Sequence, residues 1–216
     1  METQNNTLHN AILSHLASDV INNIIERDHL NPNELSSESF NLGENITPLI
    51  LACTYSNIEV VNTLIRYGAD VNLVNAFGET PLLHAVWNCK DDIVDALIEN
   101  QANVNKIDVY GRSPLYYACQ KGNEKIVEIL INHNAQVNLI DNAGKSILSR
   151  AVCWGNYDIV KKLLNHNVKI LEIDIKEGIE FQQKRIVELL EKEKQVQRCR
   201  DLGDLGDLGD GKKYES

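Results

Sequence analysis

The amino-acid sequence predicts an all-α fold, a solenoid of stacked helix-turn-helix units with projecting β-turns and a helical cap at each end. Three observations carry this. Thr47-Pro48-Leu49, Thr80-Pro81-Leu82, Ser113-Pro114-Leu115 and Ser146-Ile147-Leu148 recur at a constant offset of 33, and the same offset links Ala52, Ala85, Ala118 and Ala151, then Leu64, Leu97, Leu130 and Leu163. A fixed period of this length marks a repeat architecture. Thr or Ser before Pro fits a helix N-cap followed by Pro at the first helical position, where a missing N–H costs nothing. The later pattern Ile/Val-Val-x-x-Leu gives a second helix one apolar stripe.

Each element follows from its residues. At the N-terminus Leu8, Ile12, Leu16, Val20 and Ile24 recur at every fourth position, which predicts one amphipathic helix. Residues 28–44, with Asn31-Pro32-Asn33 and Ser36-Ser37, are expected to form a polar connection, so that residues 1–44 make up the N-terminal cap. Repeats are expected at 45–74, 77–106, 110–139 and 143–172, each with a first helix whose small Ala permits close approach to its neighbour. Their second helices should stop at Gly68, Gln101, Asn134 and Asn167, because Gly and Asn tolerate the left-handed conformation best; Gln101 is the strained member. Asn75, Asp108, Asp141 and Asp174, with glycines at 78, 111 and 144, are turn chemistry and should project sideways from the helices. A β-branched ladder of Val74, Ile107, Ile140 and Ile173 suits pairing along the turn arms.

The chain closes with a capping helix expected over 175–200, where Ile186, Leu189, Leu190 and Val196 oppose Glu191, Lys192, Glu193 and Lys194. A single unit cannot bury its own apolar face, so such lids are needed at both ends. The remainder, 201–216, repeats Asp-Leu-Gly and is expected to be a disordered acidic tail. Its acidic spacing of three does not fit the alternate ligand positions of an EF-hand.

Composition narrows function. With 31 acidic against 21 basic residues the net charge is −10, which repels a phosphate backbone, and no basic cluster offsets it. No nucleic-acid partner is expected. Met1–Asn10 lacks the basic start of a secretory signal, and no apolar run approaches the ~20 residues a membrane helix needs, so no membrane role is expected. The expected location is cytoplasmic, or a host cell reached without a signal peptide. Five cysteines without a C-x-x-C pair disfavour a disulfide framework and a zinc site. Only His133 and His166, of six histidines, hold equivalent positions, near helix C-termini where a ring complements the helix dipole. No phosphate loop, nucleophile elbow or His-Glu-x-x-His occurs. Neither enzyme activity nor a cofactor or metal is expected.

The Thr-Pro-Leu-x-x-Ala starts, the Ile-Val-x-x-Leu helices and the Gly68-Ala69-Asp70-Val71-Asn72 ending resemble the ankyrin repeat over residues 45–174. There are departures. The family's His after Thr-Pro-Leu is Ile50, Leu83, Tyr116 and Ser149, so its hydrogen bonds between repeats are expected to be absent. Ser56 and Cys89 replace the glycine between helices, and the fourth repeat, without Pro, reads as degenerate and terminal.

The resemblance implies a protein partner held by the turn tips and the first helices, and a monomeric, non-catalytic scaffold or adaptor. An alternative implied role is a regulatory subunit or inhibitor of an enzyme. Matching repeat positions gives as candidate binding residues Tyr55, Phe77, Glu79, Trp87, Asn88, Tyr110, Arg112, Gln120, Lys121 and Trp154. Aromatics and Arg anchor interfaces, so Phe77, Trp87, Tyr110 and Trp154 form the expected hot spot. The Asn-, Ile- and Lys-rich composition resembles that of ankyrin-repeat proteins of intracellular bacteria, which implies a host-directed effector.

Overall fold

Every predicted helix start in the repeats is capped in the computed structural model, which describes residues 7–14, 16–36 and 45–206, with side chains to residue 200. The hydroxyls of Thr47, Thr80, Ser113 and Ser146 accept the N–H groups of Ile50, Leu83, Tyr116 and Ser149 at 2.8–3.3 Å. Each thereby satisfies one of the N–H groups that a helix leaves without a partner in its first turn. The first helices are α3 (Pro48–Tyr55), α5 (Pro81–Trp87), α7 (Pro114–Lys121) and α9 (Ile147–Cys153). The second helices are α4 (Ile58–Arg66), α6 (Asp91–Glu99), α8 (Glu124–Asn132) and α10 (Tyr157–Asn165). They end where expected, at left-handed Gly68, Gln101, Asn134 and Asn167, with φ between 56° and 87°.

Both ends depart from prediction. The N-terminal residues form two helices, α1 (Thr7–Leu13) and α2 (Ser18–Asp28), rather than one. Folded back, they cover two layers at once: α1 packs on α3 while α2 packs on α4, which one straight helix cannot do. The ending of this pair already follows the repeat, since Ile25, His29 and Asn33 share the spacing of Leu64, Gly68 and Asn72. His29 adopts a left-handed φ of 48° like Gly68. The expected polar connection therefore begins as a repeat ending, and residues 37–44 lie outside the described residues.

At the C-terminus α11 (Glu172–Glu180) precedes α12 (Lys184–Gly206). Ile186, Val187 and Leu190 repeat the spacing of Ile159, Val160 and Leu163 at an offset shorter than that between the repeats. The cap is therefore a fifth helix pair after a shortened link, and the fourth repeat is not terminal. Asp174 is not at a turn tip but inside α11, where it accepts the N–H of Leu171 at 2.7 Å. The backbone of α12 continues through residues 201–206, inside the expected tail; residues 207–216 lie outside the described residues.

The helices form two layers. Odd-numbered helices stack on one another from α1 to α11, and even-numbered helices from α2 to α12. Between them Leu64, Leu97, Leu130 and Leu163 are fully buried, as are Ala52, Ala85, Ala118 and Ala151. The β-branched ladder does not pair: Ile107 and Ile140 are 45% and 52% exposed, and the one bridge there, among the described residues, joins Ile140 to Ser146. The turn tips are joined instead by Val109 N–H to Phe77 O and Asn142 N–H to Tyr110 O, both 2.9 Å.

A second tie runs along the links. Asn72 donates its amide to Gln101 O at 3.1 Å and accepts the N–H of Asn103 at 2.8 Å. Asn105 does the same to Asn134 O and Gln136 N–H, and Asn138 to Asn167 O and Lys169 N–H. Asn33 starts the series on Gly68 O and Asp70 N–H. At the far end Gln197 of α12 donates to Val168 O at 2.9 Å, a side chain from the cap serving the last open link. Every carbonyl the asparagines hold belongs to a left-handed residue, whose backbone turns that oxygen toward the preceding repeat.

Two expectations follow. Asn105→Ala should lower the free energy of urea unfolding by about 1–2 kcal/mol, for two partly solvated hydrogen bonds, against about 2–5 kcal/mol for the cavity left by Leu130→Ala. Cys89, held at φ 55° where Gly122 and Gly155 stand in the next repeats, carries a Cβ in a conformation that disfavours one. Cys89→Gly should therefore raise the thermal midpoint although it deletes a side chain.

Candidate functional site

The odd-numbered helices and the turn tips enclose a groove of about 440 Å³ between repeats one and three. Its lining includes seven of the residues expected to bind: Tyr55, Phe77, Glu79, Trp87, Asn88, Arg112 and Gln120. The repeat brings them together because α3, α5 and α7 stack side by side, and equivalent positions of neighbouring helices fall in rows across the face. Tyr55, Phe77 and Trp87 are 39–43% exposed.

Trp87 is the best anchored of these rings. It meets Tyr117 edge-to-face at a centroid distance of 5.4 Å, and the Lys121 ammonium lies 3.7 Å from its centroid. Lys121 thus joins the site from the rim. Tyr110 lies at the next tip, half exposed, with the Arg112 guanidinium 5.0 Å over its ring. Trp154 is 60% exposed but does not line the groove; it sits one repeat further along, at the end of α9.

Beneath the rings lies a floor of polar side chains that occupy one another. Arg112 approaches Asp141 at 3.6 Å. Tyr117 donates to Asp108 at 2.6 Å and Tyr116 to Asp141 at 2.9 Å. Burial, reinforced by the bond to Asp141, pushes the Tyr116 hydroxyl up to about 12, and burial and Asp108 push Tyr117 up as well. Both are fixed as donors at neutral pH. Tyr116 occupies the family's His position, so the expected loss of hydrogen bonds between repeats is incorrect there: a phenol reaches Asp141 of the next unit.

His84 and Tyr117 entered no sequence expectation for the site. His84 is buried, with Nδ1 3.2 Å from Thr54 Oγ1 and Nε2 3.1 Å from Glu79 Oε2. Burial alone raises the Glu79 carboxyl, but the hydrogen bonds from His84 and Asn75 outweigh it and hold Glu79 below its usual range. The available signal was that His84 and Tyr117 stand at equivalent repeat positions, which places both on the groove side of their helices. Phe181 holds the place in the cap that Trp154 holds in the fourth repeat and is half exposed; like Trp154, it does not line the groove.

The remaining chemistry-bearing groups serve structure. Cys153 donates its thiol to Glu177 at 3.0 Å, and burial with that carboxylate pushes the thiol up to about 12. Lys145 pairs with the same carboxylate. His133 caps α8 and bonds Ile129 O at 2.9 Å. Among the described residues no group of His, Cys, Asp and Glu is arranged to hold a metal, and no helix is long and apolar enough to cross a membrane.

The stacked pairs, the left-handed helix ends and the bonded turn tips define a helical repeat scaffold. A family model described as ankyrin repeats (3 copies) matches residues 8–108 and 100–174, and the chain belongs to the ankyrin-repeat family. The match begins at residue 8, so it takes in the α1/α2 pair as well as the four repeats. No curated protein matches the chain. Ankyrin repeats are generally protein-protein interaction modules, and proteins built from them are typically non-catalytic.

The lowered Glu79 carboxyl has a pH consequence. A carboxyl whose folded value is depressed contributes stability above its unfolded value and loses it as pH falls through the folded value. Wild type should therefore lose stability more steeply than Glu79→Gln as pH drops below the ordinary value of 4.5. Parallel acid titrations of the two melting temperatures would contradict the assignment.

Proposed function

We propose that the groove between repeats one and three holds a segment of a partner protein, and that the chain acts as a non-catalytic scaffold or adaptor. The observation that carries this is the exposure of Tyr55, Phe77 and Trp87 around one groove whose floor is already hydrogen-bonded. Large rings clustered at the surface over a rigid base are the usual anchors of protein interfaces. The groove-lining polar residues Glu79 and Arg112 are engaged with neighbours in the fold. That division favours recognition by shape and ring stacking over chemistry on a substrate.

The test is affinity capture with wild type and with Phe77→Ala/Trp87→Ala/Tyr110→Ala, after circular dichroism has confirmed that both are folded. A protein retained by wild type and released by the triple variant is the expected result. Equal retention by both places binding elsewhere on the chain.

A further inference from the structure

The groove face and the opposite face of the solenoid differ in accessible charge. On the even-numbered helices of the repeats Glu59, Asp92, Glu99, Glu124 and Asp158 are exposed, more carboxylates than the exposed Arg66, Lys125 and Lys161 of the same helices balance. On the groove side the carboxylates are turned inward. Asp108 and Asp141 are 5% and 6% exposed and accept the backbone N–H groups of their own turn tips together with tyrosine hydroxyls. Glu79 is the one carboxylate among the lining residues, and it holds both Asn75 and His84.

The two cations here differ: Arg112 lies over Tyr110 and is paired with Asp141, whereas Lys121 lies over the Trp87 ring with no ion pair among the described residues. An ammonium stacked on indole keeps its charge available to a further partner on its open side. Lys121 is thus a cation beside the aromatic cluster that no carboxylate of the fold neutralises among the described residues, in a protein whose net charge is −10.

Resting on the reading of this groove as the binding site, we infer that its occupant is a polypeptide segment carrying Asp or Glu beside a large apolar side chain. The apolar side chain packs against Phe77 and Trp87, and the carboxylate meets Lys121. The rings supply contact area. The Lys121 ammonium selects charge and raises the association rate, as complementary charges at an interface do.

Selection of a random-peptide phage library on the intact protein tests this, with the selected peptides re-measured by fluorescence anisotropy. The expected consensus places Asp or Glu next to Phe, Leu or Trp. Replacing the acid by its amide should weaken binding about tenfold at low salt, and the difference should shrink as salt screens it. Lys121→Glu should reverse the preference toward basic peptides. Apolar peptides without acidic enrichment, bound alike by wild type and Lys121→Glu but lost by Trp87→Ala, would overturn the charge inference and leave the groove as the site. Peptides bound equally by Phe77→Ala and Trp87→Ala variants would overturn both, and a library yielding no binder would overturn the peptide occupant.

Discussion

The structure depends on stacking: no helix pair can bury its own apolar stripe, so each exists by contact with the next. Odd-numbered helices meet odd-numbered and even-numbered meet even-numbered, and the leucines between the layers reach full burial. Apolar contact alone does not fix how far one pair rotates on another, because such packing has little direction. The asparagine series supplies direction. Each amide uses a donor and an acceptor on two backbone groups of the following link, which sets spacing and rotation together. This accounts for the left-handed residues that end the second helices: without that turn of the chain the carbonyl would not face the preceding asparagine.

The groove is a consequence of the same spacing. Rings contributed by α3, by one turn tip and by α5 come into one cluster because consecutive pairs are held at a constant offset, not because any one pair is shaped to bind. The tips are fixed by Asn75, Asp108 and Asp141, whose side-chain oxygens each accept two N–H groups of their own turn. Tyr116 and Tyr117 join tips to helices by bonding the second carboxylate oxygens. A surface built this way is pre-organised, with little loop left to be ordered by a ligand.

Most of the repeat body was legible in the sequence because its signals are local: Thr-Pro starts, Gly and Asn ends, and a leucine at a constant phase. The ends were harder to read. Ile25, His29 and Asn33 carry the repeat ending at a longer offset from the first repeat, and Ile186, Val187 and Leu190 carry the helix pattern at a shorter offset from the fourth. A search at one constant offset passes over both. The acidic, poorly amphipathic α11 gave no stripe to find. Its buried face holds Asp174 and Glu177, satisfied by Ser146, Lys145 and Cys153 of the preceding repeat. In the groove, exposed rings could be placed by repeat position alone. His84 could not, because its role comes from Thr54 and Glu79, partners that only the stacked fold brings to it.

Hydrogen exchange on the free protein tests the dependence on the asparagine series most directly. The amides of Asp70, Asn103, Gln136 and Lys169 lie in exposed links, yet each donates to an asparagine of the preceding unit. These amides should exchange slowly and as a group, with protection close to that of the neighbouring helices. Exchange at the rate of an open loop, while the helices stay protected, would show that the links are not held and that apolar packing alone sets the stack.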